Sequence, residues 1–357
     1  MTKTSVVVVN KDGKDDLQDC LPSLLAQTAE DYEVIVVDNN SDDGSVEYVT
    51  EEHPEVRLVV NDANEWYAGG NNIGFAAAKG EFIAVLNPDV VVEEDWLECL
   101  VAPLTDGQAE ITTSKVLYYE DPKKVNTCGN LAHYTGLGFC RGLDCQSSAY
   151  TEEEVVPSVS GCAFVITREL LDEIGGFDED FEFYYEDLDL AWRARLAGRD
   201  VLFVPSSVVY HKYDRPLPPW RFYNMERNRY LILLKHLQVR TLILLLPSLL
   251  LTELLLWGVA ALKGFSHVLA KLRAQYWVMN NLGAIQRKRA AVQRLRKRDD
   301  AELIGDATPL IPLARFGVPE PLATWLSTLL KALYSIPYVI ILKYYDSTKN
   351  SGTRGRL

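Results

Sequence analysis

Residues 32–45 read Tyr32-Glu33-Val34-Ile35-Val36-Val37-Asp38-Asn39-Asn40-Ser41-Asp42-Asp43-Gly44-Ser45. A β-branched apolar run stops in a polar, turn-forming cluster, and Ser45–Glu52 then takes up a helical pattern. A buried strand that ends on a carboxylate and leads into a helix is the repeating unit of a parallel α/β sheet. The same unit recurs outward in both directions. Val6–Asn10 is a short β-branched run, and Asp15–Gln27 sets Leu17, Leu21, Leu24 and Leu25 at helical spacing. Val56–Val60, Gly69–Lys79 and Glu81–Leu86 continue as strand, helix and strand. The alternation predicts a mostly parallel sheet with right-handed crossovers and ligands beyond the carboxyl ends of the strands. Four such ends carry Asn or Asp: Asn10-Lys11-Asp12, Asp38-Asn39-Asn40, Asn61–Asn64 and Asn87-Pro88-Asp89. Residues 105–155 read as irregular strands and loops. Val159–Thr167 then reads as a strand, Arg168–Ile174 as a helix stopped by Gly175-Gly176, Leu188–Ala197 as a helix and Val201–Pro205 as a strand.

Of the 357 residues, 48% are apolar and 24% charged, which excludes a disordered, collagen-like or disulfide-scaffold protein. The net charge of −14 conceals two parts. Residues 1–240 hold 20 Lys+Arg against 43 Asp+Glu, and residues 241–357 hold 16 against 7. An acidic body (1–240) is unsuited to nucleic acid, whose phosphates need a basic surface, while a basic, leucine-rich tail (241–357) suits an anionic membrane surface. Cys20, Cys99, Cys128, Cys140, Cys145 and Cys162 form no C-x-x-C pair and read as thiols in a reducing compartment, with a bridge among Cys128, Cys140 and Cys145 left open. The amino terminus enters a strand directly, with no signal-peptide core, so the body is expected in the cytosol.

Four places in the sequence can carry chemistry, and each has a bland alternative. Asp38 could accept the imide N–H of uracil or thymine, or simply cap a helix. Asp89 could hold a divalent cation bridging a diphosphate, since hard oxygens suit Mg²⁺ and Mn²⁺, or sit in an Asn-Pro turn. Glu186, Asp187 and Asp189 crowd a helix start, where the dipole favours acids; one of them could be a general base. His211 could complete a metal shell or be structural. No G-x-G-x-x-G follows the first strand, which disfavours a dinucleotide-dependent oxidoreductase.

Together and in order, these pieces resemble the family-2 glycosyltransferases of the GT-A fold, most closely a rhamnosyltransferase-like branch. The matching segments are Val6–Gly13, Asp38–Ser45, Asn64-Glu65-Trp66-Tyr67-Ala68-Gly69-Gly70-Asn71-Asn72-Ile73-Gly74, Leu86-Asn87-Pro88-Asp89-Val90, and Gly175-Gly176-Phe177-Asp178-Glu179 leading into Tyr185–Arg193. They cover about residues 4–240. The resemblance implies a nucleotide-diphospho-sugar transferase fold, a mostly parallel sheet flanked by helices, with a helical, membrane-associated extension. It implies a UDP- or dTDP-sugar donor bound by Asn10, Asp12, Asp38, Asn40, Gly70, Asn71, Asn72 and Asn87. It implies Mg²⁺ or Mn²⁺ on Asp89 and His211, Asp187 as catalytic base, and Gly161, Cys162, Glu186 and Trp192 on the acceptor side. Three departures stand out: Lys11 where an aromatic is common, Trp66 where a small residue is usual, and Asn87 in place of a first carboxylate. The implied reaction is inverting transfer of rhamnose or another hexose to a hydroxyl of a lipid-linked or surface glycan. The alternatives are a polyprenyl-phosphate sugar synthase and a non-catalytic subunit of the same fold. Glu186 and Asp189, if close to Asp187, should raise its proton affinity.

Thr241–Leu262 contains no Lys or Arg, is long enough to span a bilayer, and is interrupted by Pro247 and Glu253. Basic residues follow, including Arg287-Lys288-Arg289 and Arg294, Arg296, Lys297 and Arg298. A single span would place them across the membrane from the body, against the positive-inside rule. The expectation is therefore an interfacial, monotopic tail on the cytoplasmic face rather than a span.

Overall fold

The valine run at residues 6–9 lies in β1 (Thr4–Asn10), at the heart of a sheet in a computed structural model that describes residues 3–213, 216–316 and 318–354. Two compact units emerge, one of residues 1–130 and 140–216, the other of 131–139 and 217–357.

In the first unit β1 is followed by α1 (Lys14–Leu25), β2 (Tyr32–Asp38), α2 (Ser45–Glu52), β3 (Arg57–Val60), α3 (Trp66–Ala77), β4 (Phe82–Leu86), β5 (Val90–Val92), α4 (Trp96–Thr105) and β6 (Ile111–Tyr118). Then come β7 (Val125–Thr127), the separate two-stranded pair β8 (Asn130–Ala132) and β9 (Gly138–Cys140), most of whose residues belong to the second unit, and, again in the first unit, β10 (Glu154–Val156), β11 (Ala163–Thr167), α5 (Arg168–Ile174), α6 (Glu186–Leu196) and β12 (Val201–His211). The strand order is β10-β12-β6-β11-β4-β1-β2-β3. β1 pairs in parallel with β2 and β4, whereas β11 lies antiparallel between β4 and β6, so the sheet is mixed. Register sets Asn10 beside Asp38 at one edge. β6, expected to be irregular, is an eight-residue inner strand; its Thr112, Thr113 and Ser114 are buried and break the apolar signal. Thr112 and Thr113 satisfy their hydroxyls on the carbonyls of Leu100 and Ala163.

α3 packs on β1 through glycines. A Cβ at Gly70 would lie 2.7 Å from Val9 Cγ1, and one at Gly74 2.2 Å from Val7 Cγ1. Both distances are below any real contact, so the helix can approach only because these side chains are missing. Gly74→Ala is expected to cost about 1–3 kcal/mol by overpacking, read as a lower urea midpoint; an unchanged midpoint would contradict this packing.

The second unit contains α7 (Pro219–His236), α8 (Val239–Leu244), α9 (Leu246–Lys263), α10 (Phe265–Asn280), α11 (Leu282–Arg294), α12 (Asp300–Gly305) and α13 (Leu322–Arg354). The division falls at 216/217 rather than at the charge change near 240, because α7 packs with α10 and α11. Residues 131–139 join this unit: the Tyr134 hydroxyl donates to the Tyr334 carbonyl at 2.6 Å, and Thr252 bonds Thr135 at 3.1 Å. Pro247 does not interrupt α9 but sits in its first turn, where its missing N–H costs nothing. Glu253 is tolerated inside α9 because Arg229 and Lys271 pair with it and the Tyr230 hydroxyl donates to it at 2.9 Å.

Beside an apolar interior that includes Ile232, Leu256 and Ala260, the unit buries polar side chains and exposes large apolar ones. Glu226, Arg227, Asn228 and Arg229 of α7, Ser248 and Thr252 of α9, and Lys271 of α10 are buried. Leu246, Leu250 and Leu254 of α9, Phe265 and Tyr276 of α10, and Trp325, Ile336 and Ile340 of α13 are exposed. Two helices, Leu246–Lys263 and Leu322–Asp346, are long and apolar enough to cross a membrane by length and composition. Part of the basic cluster is internal: Arg289 donates to the carbonyls of Leu234 and Leu237, and Arg296 pairs with Asp300 at 2.7 Å. Among the described residues no disulfide joins the cysteines.

Candidate active site

The carboxyl ends of β1 and β2 form one hydrogen-bonded cluster. Asn10 Nδ2 donates to Asp38 Oδ2 at 2.9 Å and to Ser41 Oγ at 3.3 Å, while the Ser41 N–H donates to Asp38 Oδ1 at 2.8 Å. Asp38 is completely buried and both its oxygens are engaged. Exposed Asp12 and Asn40 form the rim, and each has left-handed backbone (φ 51° and 62°). The Asp42 N–H donates to Asp12 Oδ1 at 2.9 Å, and Lys11 Nζ bridges Asp12 Oδ2 and the Asn40 carbonyl at 2.8 Å each.

The Gly-Gly-Asn-Asn segment lies in the first half of α3. Gly70 and Asn71 are buried in packing, and Asn71 Oδ1 has no hydrogen-bond partner. Asn72 is a latch: its Nδ2 donates to the Phe177 carbonyl at 2.9 Å and its Oδ1 accepts from the Phe177 N–H at 2.8 Å. Trp66, which opens this helix, is half exposed with φ 56°, an unusual conformation for a bulky residue.

Beyond β4, Asp89 Oδ2 lies 3.2 Å from His211 Nε2, and His211 Nδ1 faces Asn126 Oδ1 at 3.0 Å. Burial works against the imidazolium, but the Cys162 thiol and the Asp89 carboxylate outweigh it and hold His211 well above the ordinary histidine range. Asp89 Oδ1 and Asn87 Oδ1 are both buried without a hydrogen-bond partner among the described residues. Such orphaned oxygens normally carry a cost of about 1–3 kcal/mol each, and two together beside a histidine form a donor set suited to a hard divalent cation. Among the described residues, no group of three or more His, Cys, Asp or Glu gathers as a protein-only metal cage.

Asp187 lies in the first turn of α6. Its Oδ2 accepts from Asn130 Nδ2 at 2.9 Å and from the Gly161 N–H at 3.0 Å, and its Oδ1 accepts from the Leu188 N–H at 2.7 Å. Burial raises its pKa and these three donors pull it back, leaving it above the usual aspartate value. The like-charge effect expected at Asp187 falls instead on Glu186, which burial and the charges of Asp187 and Asp189 push well above the glutamate range. Asp189 is committed to Arg193 at 2.9 Å, and Arg193 in turn binds the carbonyls of Ile174, Gly175 and Gly176. Trp192, expected on the acceptor side, is completely buried and offers an acceptor no surface. On a helix this buried, with Leu188, Leu190 and Leu196 also inside, an aromatic at that position is core.

Gly161 and Cys162 join the two acidic centres. Gly161 N–H holds Asp187, the Cys162 carbonyl accepts from the Asn87 N–H at 2.9 Å, and the Tyr67 hydroxyl donates to the Gly161 carbonyl at 2.5 Å. The sequence did not single out Asn130 or Asn126, because both fall in the stretch without legible periodicity, nor Tyr67 as a site residue, although it stands in a quoted motif.

Residues 5–175 match the family model described as Glycosyl transferase family 2. The match covers just under half of the chain. The N-acetylglucosaminyl-diphospho-decaprenol L-rhamnosyltransferase of Mycobacterium tuberculosis is 28% identical to this chain over 233 residues, covering 58% of this chain and 75% of that protein. Other curated relatives are longer, and the chain spans 24%, 34% and 17% of three of them. The GT-A fold is shared with S. aureus TarS (TM-score 0.52, 18% identity, 97% of this chain and 92% of that one). It is shared too with GalNAc-T7 solved with UDP, GalNAc and Mn²⁺ (TM-score 0.52, 22% identity, 64% of this chain and 47% of that one).

Proposed function

We propose that the chain is an inverting glycosyltransferase that moves rhamnose or another hexose from UDP or dTDP to a hydroxyl of a lipid-linked or surface glycan, at the cytoplasmic face of the membrane. The observation that carries this reading is the Gly161-Cys162 link: Gly161 bonds Asp187 and the adjacent Cys162 bonds the backbone of Asn87, two residues from Asp89. A departing diphosphate and an acceptor hydroxyl need opposite kinds of help within a few ångströms of each other. The Asn10–Asp38–Ser41 cluster shapes the nucleotide pocket, with Asp12 and Asn40 at its edge. Asp89 and His211, with Asn87 beside them, would hold Mg²⁺ or Mn²⁺, which when bound offsets charge on the leaving diphosphate. Asp187 takes the proton of the acceptor hydroxyl, and one base opposite the leaving group gives single displacement with inversion. The relative from Mycobacterium tuberculosis, a rhamnosyltransferase by name, supports a lipid-linked acceptor. The exposed large apolar residues of α9, α10 and α13 support interfacial seating in a bilayer, where exposed leucine and tryptophan are favoured.

A thermal-shift screen of UDP- and dTDP-sugars, with and without Mn²⁺, tests this. A binder at 100 times its Kd adds about 2.7 kcal/mol, and the Mn²⁺-dependent part is expected to vanish in Asp89→Ala. No stabilisation by any pyrimidine nucleotide sugar, or an undiminished Mn²⁺ effect in that variant, would contradict the reading.

A further inference from the structure

We infer that Asn130 is a positioning residue for the base, fixing the Asp187 carboxylate through its side-chain amide; this rests on the assignment of Asp187 above. Asn130 stands at the start of β8, 57 positions from Asp187 in the chain, yet its Nδ2 lies 2.9 Å from Asp187 Oδ2. Its Oδ1 lies 3.1 Å from the Thr127 hydroxyl, whose single proton the Gly129 carbonyl also contests; a carboxylate can be met only by the amide NH₂, which therefore faces Asp187. The Asn130 backbone N–H is tied to the Ser158 carbonyl at 2.9 Å, and the Ser158 hydroxyl lies 3.5 Å from the Asp187 carbonyl oxygen.

The other donors to the carboxylate are backbone N–H groups, those of Gly161 and Leu188 and that of Asp187 itself. Asn130 is therefore the one side-chain donor recorded on the Asp187 carboxylate among the described residues. The titratable groups that interact with Asp187 are Glu186 of its own helix and Tyr67 of α3, whose hydroxyl is taken up by Gly161. Neither supplies a positive charge, so ionisation of Asp187 depends on its hydrogen bonds. A carboxylate that accepts two or three such bonds is held about 2 pH lower than one that accepts none, so each contributes roughly 0.5–1.

The test is a ¹³C-carboxyl-aspartate NMR titration of the full chain, the Asp187 resonance being assigned by its loss in Asp187→Asn. Asn130→Ala is expected to move the Asp187 midpoint up by about 0.5–1 pH. Asn130→Asp keeps the shape of the side chain and guards against misfolding. It is expected to make the pair titrate in two steps, the upper one above the wild-type midpoint. An Asp187 midpoint that stays in place in either folded variant overturns the inference. The base assignment itself is decided by transfer in Asp187→Asn, which this titration does not read, so the two can fail separately.

Discussion

Asp187→Asn is expected to lower sugar transfer by about 10²–10⁴-fold while donor affinity stays within about twofold. The amide keeps the size of the carboxylate and cannot take a proton. The loss should fall on kcat, because the proposed nucleotide pocket is built on Asn10, Asp38 and Ser41 and not on this side chain. The pH profile of the wild type carries the sign of the same claim. Asp187 must be ionised to act, and burial raises its pKa above the ordinary aspartate value. Activity should therefore rise with pH through an acidic limb above that value, and the limb should be absent in the variant. Near-wild-type transfer by Asp187→Asn would remove the base and favour a phosphate acceptor, as in a polyprenyl-phosphate sugar synthase, where no proton has to be taken.

The double variant Leu250→Asp/Leu254→Asp is expected to lose membrane binding by more than about 100-fold, since each leucine withdrawn from the apolar phase forfeits about 1.5–3 kcal/mol. Leu250 and Leu254 are exposed one turn apart on α9, while Ser248 and Thr252 on the same helix are buried. A soluble packing would place these residues the other way round. Cosedimentation with phosphatidylglycerol-containing vesicles measures the effect. Raising salt should weaken wild-type binding only in part, because screening acts on the basic residues and leaves the apolar term intact. Unchanged partition of the double variant would show that this face is not the anchor.

The strand–helix alternation and the acidic strand ends were legible because buried parallel strands are apolar runs that end in polar turns. Asn10, Asp38 and Asp89 were visible for that reason, and β1 and β2 follow it closely. β6 was not legible: buried Thr112, Thr113 and Ser114 satisfy their hydroxyls internally, which no hydropathy pattern announces. Asn130 was hidden for a related reason, since its importance comes from a contact with a residue distant in sequence. Trp192 was misplaced on the acceptor side because motif position says nothing about which face of a helix points inward, and α6 is buried almost all round. Glu253 and Pro247 looked like breaks in an apolar segment. One is ion-paired and the other opens the helix, neither of which can be read without the partner residues.

The central claim is that a nucleotide diphosphate leaves from the same rim at which Asp187 takes a proton. A crystal structure of the full chain with UDP and Mn²⁺ measures this directly. The account predicts Mn²⁺ on Asp89, the diphosphate on the metal, and the Asp187 carboxylate facing the open end of the diphosphate with Asn130 still bonded to it. UDP seated away from the carboxyl ends of β1, β2 and β4, or an Asp187 carboxylate turned away from the diphosphate, would contradict it.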